Sequence, residues 1–136
     1  MISFHCKHSQ YRPANKSRIT EWLNKSVQHQ KKSIGNISIV FCSDEHLLQI
    51  NKQYLNHNYF TDIITFDYST NNVISGDLFV SIDRLRDNAA NLEINLQLEV
   101  RRVLVHGVLH LCGYNDKSPA DKKLMTAKED FYLARF

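Results

Sequence analysis

The stretch Asn95-Leu-Gln-Leu-Glu-Val-Arg-Arg-Val-Leu-Val-His-Gly-Val-Leu-His-Leu-Cys112 decides the architecture. Placed at about 100° per residue, Leu96, Val100, Val103, Leu104, Val108 and Leu111 fill one broad arc of a helix, and Leu98, Val105 and Leu109 fill most of the opposite arc. A helix that is apolar on both sides must be covered on both sides, which puts it at the centre of the fold. Between the arcs runs a narrow polar stripe of Glu99, Arg102, His106 and His110, all within roughly 40° of His106. Unpaired polar groups on a buried helix cost on the order of 1 to 3 kcal/mol each, so the stripe is expected to line a cleft or hold an ion.

Histidines at i and i+4 bring both imidazoles to one face. Just past the helix, Gly113 suits a left-handed residue that turns the chain back and aims Asn115 or Asp116 at that face. A single histidine on an apolar helix is more often a hydrogen-bonded core residue, but two at this spacing with a following carboxylate favour ligation. Two imidazoles and a carboxylate suit Zn²⁺ with a fourth position for water, and also match Fe(II) or another divalent transition metal. Such an ion lowers the pKa of its water toward neutrality, which makes hydrolysis the natural reaction class. A zinc protease would carry glutamate directly after the first histidine; Gly107 stands there and disfavours peptidase chemistry. Cys112 projects about 120° from the stripe and reads as a packed thiol. Glu99, further back on the stripe, is a candidate general base, although it can equally pair with Arg102.

Outward from this helix, Ile2 to His5 alternates as a short strand, and Ile19, Trp22, Leu23 and Val27 follow helical spacing after Ser17, a plausible N-cap. Ile37 to Phe41 reads as a buried strand, and Ser43 caps a second helix whose Leu47, Leu48, Ile50 and Tyr54 are expected to face inward. Asp62 to Phe66 and Asp77 to Ile82 are strand candidates close enough for antiparallel pairing. A helix over roughly Arg84 to Ala90 precedes the central one, and Ser118-Pro-Ala-Asp121 opens a last helix with a cap, a proline and an acidic third residue. The expected fold is α/β (α+β-like): a small mixed β-sheet of about four strands covered by about five helices, in one domain spanning residues 1–136.

Bulk properties agree. The chain has 136 residues, 43% of them hydrophobic and 23% charged, which sets it apart from disordered and membrane proteins. Its longest apolar run, Val103 to Leu111, is about half of the roughly 20 residues a membrane span needs, and no signal-peptide core opens the chain. Cys6, Cys42 and Cys112 are odd in number and lack CxxC spacing, so reduced thiols and a cytoplasmic location are expected. A net charge of +3 is compatible with a polyanionic partner without requiring one.

His106-Gly-Val-Leu-His-Leu-Cys-Gly-Tyr114 resembles the H-G-x-L-H-L-x-G-Y-D-H signature of the YbeY family of bacterial metal-dependent endoribonucleases, also called rRNA maturation factors. Asn51-Lys-Gln-Tyr54 and Thr61-Asp-Ile-Ile-Thr-Phe66 are similar to that family's L-N-x-x-Y-R and T-D-V-L-S-F segments. Gly76-Asp-Leu78 is similar to its G-D-I strand, and Met125 and Glu129 fall where its last helix carries Met and Glu. Two departures stand out: Asn115-Asp116 replaces Asp-His, and Leu55 replaces the arginine after the tyrosine. The resemblance implies a single-strand-specific endoribonuclease in maturation of small-subunit ribosomal RNA and in ribosome quality control. Its partners would be ribosomal RNA and the small ribosomal subunit, its metal Zn²⁺, and its ligands His106, His110 and Asp116, Asp116 replacing the family's third histidine. With Leu55 in place of arginine, Lys52, His57, Arg101 and Arg102 are candidates for contacting the substrate. Two other readings accompany it: a non-catalytic ribosome-assembly factor with a structural metal, and a metal hydrolase of small substrates.

Overall fold

The computed structural model describes residues 1–136. In chain order it contains β1 (Ile2–Lys7), α1 (Lys16–His29), β2 (Ser33–Cys42), α2 (Asp44–Leu55), β3 (Ile63–Asp67), β4 (Val73–Ser81), α3 (Ile82–Leu92), α4 (Leu96–Leu111) and α5 (Pro119–Leu133). The four strands form one mixed sheet in the order β1-β2-β4-β3. β1 and β4 flank β2 in parallel, and β3 pairs antiparallel with β4, Thr65 opposite Leu78. The tight return between β3 and β4 passes through Asn71 at φ 56°, a left-handed position that asparagine tolerates better than most residues.

Strand alternation sorts the core into two layers. Ile37, Ile39 and Phe41 of β2 and Ile74, Leu78 and Val80 of β4 turn to one face, where they meet α1, α3, α4 and α5. Cys42 and Ile64, with Phe66 and Phe79 beside them, turn to the other face under Leu47 and Ile50 of α2. Helix α4 lies between the sheet and the outer helices, touching β3, β4, α1, α3 and α5. Leu104, Val105, Val108 and Leu109 are all essentially inaccessible, so both arcs of this helix are covered. Asn95 caps it through its side chain, which accepts from the Leu98 N–H at 2.8 Å. Ser118 and Asp121 form the reciprocal capping box that opens α5.

Two local expectations change. Helix α1 begins at Lys16 after Asn15 in the left-handed region, with no side-chain cap, so Ser17 lies inside the helix instead of capping it. Tyr54 of α2 points outward, 63% exposed, because Asn51 takes the buried position one turn earlier and donates to the carbonyl of Tyr59 at 2.9 Å. No helix is long and apolar enough to cross a membrane.

Candidate metal centre

His106 and His110 lie one turn apart on α4, their rings edge to face with centroids 4.6 Å apart. The helix ends at Cys112 in a Schellman arrangement: Gly113, at φ +105°, donates to the His110 carbonyl at 3.0 Å, and Tyr114 donates to Leu109 at 3.1 Å. This turn does two things. It directs the Tyr114 carbonyl onto Nδ1 of His110 at 2.9 Å, and it returns the chain so that Asp116 meets both histidines.

Nε2 of His106, Nε2 of His110 and Oδ2 of Asp116 form a triangle with sides of 3.1, 3.3 and 3.4 Å. The protonation of the rings follows from their far sides. A carbonyl only accepts, so His110 Nδ1 carries the proton it donates to Tyr114. Nδ1 of His106 faces Oε2 of Glu129 at 2.6 Å and donates likewise. In the neutral rings both Nε2 atoms therefore present lone pairs to each other and to a carboxylate oxygen, an assembly of three acceptors that calls for a cation at its centre. A tetrahedral ion with bonds of about 2.0 to 2.1 Å has ligand-to-ligand edges of about 3.3 to 3.4 Å, and the triangle has those dimensions. These three residues can thus hold a metal ion. Without one, burial works to lower the His106 pKa, but the hydrogen bond and charge of Glu129, then Asp116 and Asp62, outweigh burial and hold it above its ordinary value.

The triangle opens into a cleft of about 460 Å³ walled by Leu55, His57, Tyr59 and the β3 segment from Thr61 to Thr65. Its acidic and basic lining is Asp62, Asp67, Asp116, His57, His106 and His110; neither lysine nor arginine contributes to the wall. Burial pushes the Asp62 carboxyl above the usual range, against the opposing pull of His106 and of the backbone N–H groups of Asp62 and Ile63. Gly107 explains the missing protease glutamate in steric terms. A Cβ there would stand 2.9 Å from Cδ1 of Ile63 and 3.1 Å from Cδ2 of Leu78, so a side chain as long as glutamate would have to displace both against the sheet.

The other members of the polar stripe lie outside the cleft wall. Glu99 is buried, accepts from Asn88 Nδ2 at 3.4 Å and leaves Oε1 without a partner. Arg102 does not pair with Glu99; its Nη1 lies 3.2 Å from both Glu129 and Asp130 on α5. Arg101 turns to another side of α4, its guanidinium 4.3 Å from the centre of the Phe136 ring. Lys52 is exposed and His57 is in the wall. Sequence reasoning placed Glu129 only by resemblance and gave it no role, because the contact it makes joins helices whose packing leaves no trace in local spacing. Asp62 sat in a recognised segment, but its orientation into the cleft depends on the register of β3.

The family model for endoribonuclease YbeY matches residues 2–136. The chain belongs to that family. Relatives named endoribonuclease YbeY include one from Flavobacterium johnsoniae, 46% identical over all of this chain and 97% of that protein. Another, from Parabacteroides distasonis, is 43% identical over 98% of this chain and 94% of its own length. The fold recurs in TM1509 of Thermotoga maritima, whose solution structure aligns with a TM-score of 0.68 at 22% identity, over 98% of this chain and 87% of that one. Within this YbeY-family chain, the carboxylate of Asp116 completes the triangle at the position where the signature carries histidine.

Proposed function

We propose that this chain is a single-strand-specific endoribonuclease that uses Zn²⁺ held by His106, His110 and Asp116. Its substrate is ribosomal RNA of the small subunit, during maturation and quality control in the bacterial cytoplasm. The observation that carries this reading is the triangle of three acceptor atoms at the floor of an open cleft, in a chain of the endoribonuclease YbeY family. Family membership makes the chain a hydrolase of RNA phosphodiester bonds and sets aside the assembly-factor and small-substrate readings.

When bound, the ion supplies an acidified water and a positive charge against the phosphate. The chain's own residues do the rest. Glu129 and the Tyr114 carbonyl hold each imidazole in the tautomer with Nε2 free, which keeps the donor set ready. Asp116, on a turn just past α4, provides the negative charge of the set. Because the wall contributes aspartates and no lysine or arginine, an RNA strand entering the metal-free cleft meets net repulsion, and loading with metal is a condition of substrate binding as well as of chemistry.

The test is gel-resolved cleavage of single-stranded RNA, including precursor small-subunit rRNA, by zinc-loaded wild type and by His110→Ala. Cleavage by wild type that disappears in the variant and in excess chelator is the expected result. Equal cleavage by both proteins would overturn the proposal.

A further inference from the structure

All four aromatic side chains that stand out as exposed, Tyr54, Tyr59, Phe60 and Tyr68, fall within fifteen residues of one another and are 49% to 63% accessible. The segment they occupy is the one that walls the metal cleft, with Tyr59 and its neighbour His57 in the wall itself. Those two rings are stacked, centroids 5.1 Å apart and planes 21° apart, and linked by a hydrogen bond of 3.0 Å between the Tyr59 hydroxyl and His57 Nδ1. The loop that carries them is pinned twice by buried Asn51. The Asn51 carbonyl accepts the His57 N–H at 3.0 Å, and its Nδ2 donates to the Tyr59 carbonyl at 2.9 Å. The ring pair is therefore built before any ligand arrives.

Exposed aromatic area costs free energy in water, and its concentration beside a polar cleft calls for a ligand with flat faces. The cleft offers the phosphates of RNA no cationic side chain, and the arginine of the family pattern is replaced by Leu55 in the same wall. Affinity beyond what a bound ion gives to one phosphate must then come from elsewhere. Bases that are free of a duplex supply it, since an unpaired base exposes a π-face that an aromatic ring can cover, whereas a paired and stacked base does not.

We propose that the His57–Tyr59 pair is a stacking platform for an unpaired nucleobase of the RNA substrate, and that it sets the preference for single strands. This deepens the nuclease reading and rests on it.

The experiment compares KM and kcat of zinc-loaded wild type, Tyr59→Ala and Tyr59→Phe on a short single-stranded RNA and on the same strand carrying abasic residues. Tyr59→Ala is expected to raise KM on the base-bearing strand by about fivefold or more, the equivalent of about 1 kcal/mol of stacking, with kcat little changed. Tyr59→Phe loses the hydroxyl link to His57 but keeps the ring and both Asn51 anchors, so its KM should lie much nearer wild type than that of Tyr59→Ala. On the abasic strand wild type should already show the raised KM, and Tyr59→Ala should add nothing. An unchanged KM in Tyr59→Ala, or an equal loss on both strands, would overturn the platform while leaving the nuclease intact. A wild type that cleaves neither strand would overturn the nuclease reading and the platform with it.

Discussion

Oε2 of Glu129 lies 2.6 Å from Nδ1 of His106, while Oε1 of the same carboxylate lies 3.2 Å from Nη1 of Arg102. Helix α5 thus fixes the tautomer of His106 on α4, and the arginine of the polar stripe holds the carboxylate that does so. Glu129→Gln can turn its amide nitrogen toward His106, which would favour the proton on Nε2 and block that donor. Outer partners of this kind are worth about 10- to 100-fold in metal affinity. Zinc affinity of Glu129→Gln, read by competition with a chromophoric chelator, should fall by that order while the helical circular dichroism is retained.

Asp116 gives the triangle its negative charge and two of its three sides. Asp116→Ala should lose more zinc affinity than Glu129→Gln, since it removes a donor atom and not its support. Asp116→His restores a donor of the family type and should bind zinc better than Asp116→Ala. The same chelator competition ranks the three proteins, and an Asp116→Ala affinity equal to wild type would exclude this residue from the centre.

A methyl group at Gly107 would stand 2.9 Å from Cδ1 of Ile63 and 3.1 Å from Cδ2 of Leu78, the ends of two side chains that must move aside to admit it. Gly107→Ala displaces both side-chain ends, and overpacking of this kind costs about 1 to 3 kcal/mol, offset in part by the roughly 1 kcal/mol by which a helix interior favours alanine over glycine, for a net loss of up to about 2 kcal/mol. The urea midpoint should drop accordingly. A midpoint at or above that of wild type would mean that the contact relaxes freely.

Glu99 is 4% exposed, and burial is the main cause that raises its pKa, opposed by the Asn88 hydrogen bond and reinforced by Asp62. A folded-state pKa above the unfolded one means that the native protein holds this proton more tightly. Its contribution is therefore full below the unfolded value, near 4.5, and is lost as pH rises through the folded value. Glu99→Gln stays neutral throughout. Its melting temperature relative to wild type should be higher at pH 7 than at pH 4; a difference independent of pH would show that Glu99 is not perturbed by the fold.

The thiols of Cys42 and Cys112 are pushed up to about 12 and about 11, in each case mainly by burial. Both therefore stay protonated and unreactive near neutral pH. Iodoacetamide should label Cys6 in the folded protein and reach Cys42 and Cys112 only after denaturation, as counted by mass spectrometry. Rapid labelling of all three would contradict the packing around Cys42.

Much of the centre is local and therefore legible in the chain. The period of 3.6 residues places His106 and His110 on one face and buries both arcs of α4, the glycine at 113 ends the helix and turns the chain, and serine, asparagine and proline mark the caps. The approach of Asn115 or Asp116 to the histidines follows from that turn, because only a few residues separate them from the helix end. What local spacing does not carry is which elements come to lie side by side. The order β1-β2-β4-β3 sets the wall opposite the histidines, and the docking of α5 on α4 takes Arg102 away from Glu99 and gives Glu129 to His106, residues 23 positions apart. The same long-range packing buries Asn51 where helical spacing favoured Tyr54, and so turns the aromatic segment outward around the cleft. The sequence by itself determined a central helix with a three-donor face, because that geometry is fixed by bonds a few residues long. The tertiary structure alone decided the supporting carboxylate, the fate of the arginines and the aromatic wall, because those depend on how surfaces distant in the chain pack together.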